Sequence, residues 1–276
     1  MEEGIKNHYT STGLKEKIIQ SFEKAGKDPG NLRLKDLAVI DQLHTGGHLA
    51  TLALADLANL DKNSRILDAG CGIAGSSRLL ADAFDITVTA IDLVNEFIET
   101  ARFLNRSTGL ADRVELHQGD IVKTSFPDQS FSCIWCQHTL MNIEDKARLF
   151  LEFYRLVKPK GIVVLHEVVR GQSGKPIYLP VPWAASHAIS FLSTIDDLNR
   201  TARHAGFNCL FQKEVTDQAK LWWQRVKKAQ EKTADLSNPL GPHIIFGRNA
   251  KAFGKNMMAN LDGDRIKVFE AIFSKE

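Results

Sequence analysis

The chain has 276 residues, 43% hydrophobic and 25% charged, with 35 Lys+Arg against 33 Asp+Glu. At roughly 100–200 residues per domain that is one large domain, or one with an appendage, able to bury about 75% of its unfolded surface without a disulfide or metal staple. The balance excludes a disordered tail, and a formal net charge of +2 argues against a large nucleic-acid footprint.

Apolar residues at helical spacing predict a helix over 14–26, ended by Gly26 and a Pro29-Gly30 turn. Helices over Leu34–Leu43 and His48–Leu60 follow, separated by Gly46-Gly47, so the first 60 residues read as all-helical. From Ser64 the period changes. Strands are expected at 65–69, 86–92, 114–119, 131–137 and 161–168, with helices at 76–84, 95–109 and 145–156 between them. Strands alternating with helices of this length signal a parallel sheet covered on both faces. Residues 170–190, with three prolines, read as a long loop, and loops of that length usually form lids or binding elements. A helix to Ala205, a strand at 209–215, helices from 217 to about 233 and near 249–260, and a last strand at 266–273 complete the chain.

Four cysteines, Cys71, Cys133, Cys136 and Cys209, are too few for a secreted disulfide framework. Cys133 and Cys136 form a C-x-x-C inside an apolar run, which makes them strand residues, and no second pair exists to complete a zinc site. No metal is expected. The first residues lack the apolar stretch of a signal peptide, and no run of 18 apolar residues occurs, so the expectation is a cytoplasmic protein without a membrane span.

The chemistry concentrates in Asp68-Ala69-Gly70-Cys71-Gly72-Ile73-Ala74-Gly75, at the first strand-to-helix turn. In an open α/β sheet ligands bind beyond the carboxyl ends of the strands, where glycines admit the ligand and a helix N-terminus offers N–H groups. The spacing also matches the dinucleotide fingerprint, with Asp92 about 20 residues on. Charge separates the two cofactors. Asp68 would repel the pyrophosphate of NAD but favours the ammonium and sulfonium of S-adenosylmethionine (SAM). Asp92, closing the second strand, is placed for the ribose hydroxyls with Leu93 beside it. Gly119-Asp120-Ile121, after the third strand, is placed for the adenine. Any one Asp in such a position is often just a helix cap or turn residue. Three of them closing three successive strands point to a nucleoside site.

These residues resemble the class I SAM-dependent methyltransferases. Ile66 to Ser76 looks like the first motif of that family, Val88 to Leu93 its ribose-binding acidic loop, Gln118 to Ile121 its adenine loop, and Leu156 to Gly161 its turn into the fifth strand. The resemblance runs from about Asp41 to the last strand. It implies an α/β fold with a Rossmann-like seven-stranded mixed sheet, order 3-2-1-4-5-7-6, the last strand antiparallel. It also implies a cofactor site that takes in Gln137. Asp41 to Thr51 and Pro182 to Leu192 are similar to the small-molecule branch, which includes sarcosine/dimethylglycine, ubiquinone/menaquinone and sugar O-methyltransferase-like enzymes. The expected organisation is a helical cap at 1–60 and a SAM-binding domain at 61–276, with lid elements at 169–193 and 217–262.

The expected reaction is methyl transfer to an N, O or C nucleophile of a small-molecule acceptor, yielding S-adenosylhomocysteine. Many relatives place a His pair just past the fourth strand. Here the stretch reads Leu140-Met141-Asn142-Ile143, so the base is assigned to His138. Gln42, His44, His166, Trp183, His187 and Trp222 are the substrate and lid candidates. Trp222 also suits plain packing on its helix. Three alternatives remain open. An NAD(P) oxidoreductase is disfavoured by Asp68 and by the lack of a Tyr-x-x-x-Lys pair. A nucleic-acid or protein methyltransferase is disfavoured because Gln137-His138-Thr139-Leu140 is no Asn/Asp-Pro-Pro-aromatic tetrad. The third is a SAM-binding module without activity.

Overall fold

A computed structural model describes residues 2–9, 13–232 and 239–276. Four helices lead: α1 (Glu2–Tyr9), α2 (Leu14–Lys24), α3 (Leu34–Asp41) and α4 (Gly47–Leu57). Then come β1 (Ile66–Ala69), α5 (Gly75–Phe84), β2 (Val88–Asp92), α6 (Asn95–Ser107), β3 (Val114–Gln118), β4 (Phe131–Gln137), α7 (Lys146–Leu156) and β5 (Val157–Arg170). The last elements are α8 (Ile195–His204), β6 (Phe207–Glu214), α9 (Thr216–Lys232), α10 (His243–Phe246), α11 (Ala250–Asp262) and β7 (Ile266–Lys275).

The strands form one sheet in the order β3-β2-β1-β4-β5-β7-β6. β1 pairs parallel with both β2 and β4, whereas β7 runs antiparallel to β5 and β6. This is the expected topology. The chain winds outward from β1 through β2 to β3, then returns to place β4 on the other side of β1. That reversal opens a crevice at the carboxyl ends of β1 and β4.

The period-2 pattern of the strands divides the core between the two faces of the sheet. Leu67, Ala69, Ile134 and Cys136 point to the side carrying Phe150, Phe153 and Leu198 of α7 and α8. Ile66, Cys133 and Trp135 point to the other, with Leu80 and Ala81 of α5. The two cysteines of the C-x-x-C therefore lie on opposite faces, as strand residues three apart must, and both are buried free thiols.

Two local differences from the sequence-based expectation have physical causes. The expected turn at Leu156–Gly161 is instead the start of β5, which pairs Phe131 with Val157 and then shifts register before Cys133 meets Ile162. Lys160 absorbs the irregularity at φ 61, and a Cβ on Gly161 would lie 2.8 Å from the Ser132 carbonyl oxygen. Helix α1 has no counterpart among the predicted elements. It is short and polar, and it gives no apolar period to read. The expected helix end at Thr233 lies outside the described residues.

Helices α2 and α3 pack Leu14, Ile18, Phe22 and Ile40 against Val94, Phe97 and Leu104 of the β2–α6 region and against Ile244 and Ile245 of α10. Arg78 of α5, fully buried, ties α3 to α5 and α6 through a 2.9 Å ion pair with Asp41 and a bond to Asn105 Oδ1. A second cluster joins Trp183, Ile189 and Leu192 of the 170–193 segment to Trp223, Phe253 and Met257 of α9 and α11, over Val168 and Val268. Both layers converge on the crevice.

Candidate active site

The crevice holds about 1280 Å³ of empty space, its solvent-open mouth included. One half is lined by Asp68, Gly70 to Ile73, Asp92 to Val94 and Gly119 to Ile121, the ends of β1, β2 and β3. The other half is lined by Tyr9, Leu43, His44, His138, Met141 to Ile143, Pro182, Trp183, Ile245 and Phe246. Ile40, Asp41, Gly75, Ser76, Phe97, Gln137 and Thr139 complete the lining.

The glycine turn is built from the backbone outward. Gly70 sits at φ 82, and a Cβ there would fall 2.4 Å from Thr139 Cγ2 of the neighbouring strand end. The N–H groups of Gly70 and Cys71 both donate to the Ile91 carbonyl, and that of Gly72 donates to Asp92 Oδ2 at 2.8 Å. These three donors are thus already engaged within the protein, so the turn itself does not offer its N–H groups to a ligand. The first turn of α5 is left to do so, because the first N–H groups of a helix have no intrahelical acceptor.

Asp92 Oδ1 also accepts from the Val94 N–H at 2.9 Å. Each carboxylate oxygen retains a second lone pair, so the cross-turn bonds fix the carboxylate without exhausting it. Burial pushes its pKa up. Asp68 accepts from Ser77 Oγ at 2.5 Å, and burial, reinforced by Asp92, pushes it up to about 7. Asp120 Oδ1 accepts from the Val122 N–H, so it closes its own turn while lining the cavity. Ala69 is buried behind the turn and outside the lining.

Gln137 organises the far wall. Its Oε1 accepts from Trp135 Nε1, Ser76 Oγ and Thr51 Oγ1 at 2.9–3.2 Å. An indole N–H can only donate, which fixes the amide orientation and turns Nε2 toward His166 Nδ1, 2.9 Å away. His166 therefore accepts at Nδ1 and carries its proton on Nε2. The next residue, His138, adopts φ 54, a left-handed conformation rare for a residue with a Cβ, and its ring lines the cavity. His138 Nε2 is buried and has no hydrogen-bond partner among the described residues. The rings of His44, His138 and His166 stand 5.0–6.2 Å apart. Burial holds all three well below the usual imidazole pKa, with His44 at about 4 and His166 at about 3. All are neutral at pH 7.

The remaining candidates divide. Trp183 lines the cavity and donates from Nε1 to Ser190 Oγ. His166 acts on the wall through Gln137 and is outside the lining. Gln42 is buried beside the cavity with Oε1 unpartnered among the described residues, and it too is outside the lining. His187 is exposed on a 3-10 turn, and Trp222 packs edge-on against Trp223; neither reaches the cavity.

Of the lining residues that the sequence does not mark as site residues, four bear most on the chemistry. Tyr9 comes from helix α1, which has no sequence signal, and Ser76 and Asn142 are only neighbours of motifs. Asp41 is the fourth. It is buried in its ion pair with Arg78, yet its Oδ1 has no partner among the described residues. A buried, unpartnered carboxylate oxygen in a cavity wall suits a cationic ligand group. No group of three or more metal-ligating side chains occurs among the described residues.

Residues 67–165 match the model of the methyltransferase domain family. The chain is 31% identical over 233 residues to phosphoethanolamine N-methyltransferase 3 of Arabidopsis thaliana, covering 82% of this chain and 46% of that protein. It spans about half the length of the curated relatives it first matches. Among solved structures, phosphoethanolamine N-methyltransferase 2 of Haemonchus contortus superposes with a TM-score of 0.74 at 20% identity, over 97% of this chain and 58% of that one. Geranyl diphosphate C-methyltransferase from Streptomyces coelicolor gives 0.70 at 15% identity, over 100% and 98%. At such identities the structural matches speak for the fold alone, and the fold agrees with the domain match. The domain match at residues 67–165 and the order of this sheet make the chain similar to the SAM-dependent methyltransferases.

Proposed function

We propose that the protein transfers a methyl group from SAM to an N, O or C nucleophile of a small-molecule acceptor, releasing S-adenosylhomocysteine. The observation that carries this reading is the Asp92 carboxylate at the end of β2, bonded across to Gly72 of the glycine turn beside Asp68. That arrangement offers acceptors to ribose hydroxyls and negative charge to an ammonium. It offers no cation to a pyrophosphate, which weighs against a dinucleotide.

In this reading Asp68, Ala69, Gly70, Cys71, Gly72, Asp92, Leu93, Gly119, Asp120, Ile121 and Gln137 form the cofactor half. Asp41 is an added partner for the ammonium. When bound, SAM supplies an electrophilic methyl on a sulfonium. The chain's own part is alignment of the nucleophile and exclusion of water. The cap of residues 1–60 and the elements at 169–193 and 217–262 enclose the site over the 61–276 domain. His138, neutral and facing the cavity, accepts the proton of a protic nucleophile. His44 and Trp183 contribute to the acceptor wall.

In the same reading the protein works in the cytoplasm on a small molecule, not on nucleic acid. No helix among the described residues is long and apolar enough to cross a membrane. Methyl-labelled SAM offered with amines, phenols, quinones and sugars tests the proposal. Label in an acceptor is the expected result. Tight SAM binding with no transfer to any acceptor would instead make this a binding module.

A further inference from the structure

Among the described residues, the cavity lining contains no lysine or arginine, and its charged residues, Asp41, Asp68, Asp92 and Asp120, are all acidic. Two buried cations bond to lining residues from behind, and both are committed. Arg78 pairs with Asp41 and Asn105. Lys146 donates Nζ to the carbonyls of Ile143 and Phe191, and burial lowers its pKa to about 8. The half of the cavity away from the glycine turn is walled by Leu43, Met141, Trp183, Ile245 and Phe246, and its imidazoles are neutral. An anion entering this half loses its hydration and meets apolar surface and neutral polar groups of Tyr9, His44, His138 and Asn142, with no cation to replace the lost water.

We infer that the acceptor is an uncharged molecule with an apolar, ring-sized body and one protic nucleophile, a hydroxyl or a neutral amine, and that phosphorylated acceptors are excluded. This deepens the methyl-transfer reading and rests on it. The relatives named above act on phosphoethanolamine or geranyl diphosphate, so the wall marks a departure from both. In the reaction the nucleophile's lone pair forms the bond to the methyl carbon as the carbon–sulfur bond breaks, its electrons going to sulfur. The O–H or N–H proton passes to His138, whose imidazole becomes imidazolium and releases the proton to water.

Calorimetry on the protein saturated with S-adenosylhomocysteine tests the inference, with 1-naphthol, N-methylaniline and phosphoethanolamine as probes. The aromatic probes should bind more tightly than phosphoethanolamine, on the order of a hundred-fold. The Phe246→Arg variant, which places a cation in the wall, should weaken 1-naphthol by about ten-fold or more while still binding S-adenosylhomocysteine, which reports that it folds. Preference for phosphoethanolamine, no binding of either aromatic probe, or 1-naphthol binding untouched in the variant would each overturn the inference. Absence of S-adenosylhomocysteine binding at the outset would sink the methyl-transfer reading instead, so the two failures are distinct.

Discussion

Tyr9 donates its hydroxyl to Asn142 Oδ1 at 2.9 Å, joining two residues 133 positions apart across the mouth of the cavity. Asn142 Nδ2 donates in turn to the carbonyls of Trp183 and Ile189. One amide therefore holds helix α1, the end of β4 and the 180–191 segment together. Beside it, His8 Nε2 contacts the Pro182 carbonyl oxygen at 3.2 Å. The enclosure is a set of separate segments stitched at Asn142.

Removing the two partners should have unequal effects. Tyr9→Phe deletes one bond and leaves Asn142 with its other two, at a cost of about 0.5–1.5 kcal/mol. Asn142→Ala strands two buried carbonyls and a tyrosine hydroxyl, at a cost of about 2–4 kcal/mol. Guanidinium unfolding midpoints measure both. Equal losses would mean that the hub does not hold the three segments jointly.

The glycine turn gives a second contrast. A Cβ on Gly75 would lie 2.2 Å from the Asp41 backbone oxygen, where the cap is locked to α5 by Arg78. Gly75→Ala should cost about 2–4 kcal/mol through displacement of that backbone. A Cβ on Gly72 meets nothing within 4 Å, and only its φ of 55 resists the change. Gly72→Ala should cost about 1–2 kcal/mol. Thermal unfolding of the two variants decides, and the reverse order would contradict the close approach at Gly75.

Much of this site is legible in the amino-acid sequence alone. The carboxylate-glycine turn, the acidic ends of β2 and β3 and the alternation of strand and helix are local, and local spacing reports them. The features that spacing does not report are long-range. Nothing near Gln137 in sequence says that Thr51, Ser76 and His166 converge on its amide, or that Asp41 reaches Arg78. Tyr9 gives no signal because an eight-residue polar helix has no period to read. Trp222 and Trp223 look equivalent in sequence. Only packing separates the partly exposed Trp222 from Trp223, which is buried and donates Nε1 to Thr45 Oγ1.

The neutral histidines predict acid sensitivity. Burial lowers His166 from 6.5 to about 3, so below pH 6.5 the unfolded chain takes up a proton that the folded chain refuses. Stability from this residue is present above pH 6.5 and is lost as pH falls, by up to about 1.4 kcal/mol per unit. Glu167, raised by burial to about 8, acts in the opposite sense over 4.5 to 8 and masks part of the effect in the wild type. Subtracting a His166→Gln variant removes that masking. From pH 7 to 5 the wild type should lose about 2 kcal/mol more than the variant. A pH-independent difference would show that His166 titrates normally.

Asp92 tests the site at the level of one residue. Asp92→Ala removes the acceptor proposed for the ribose and also frees the Gly72 and Val94 N–H groups. Affinity for S-adenosylhomocysteine should fall by about 2–3 kcal/mol, roughly thirty- to a hundred-and-fifty-fold. Unchanged affinity in a folded variant would refute the ribose assignment.

The crevice at the ends of β1 and β2 is built for SAM, not for a dinucleotide. Calorimetric titration of the wild-type protein with S-adenosylhomocysteine and, separately, with NADH is the most direct measurement. Saturable binding of S-adenosylhomocysteine and none of NADH is the expected result. Binding of NADH without S-adenosylhomocysteine would contradict it.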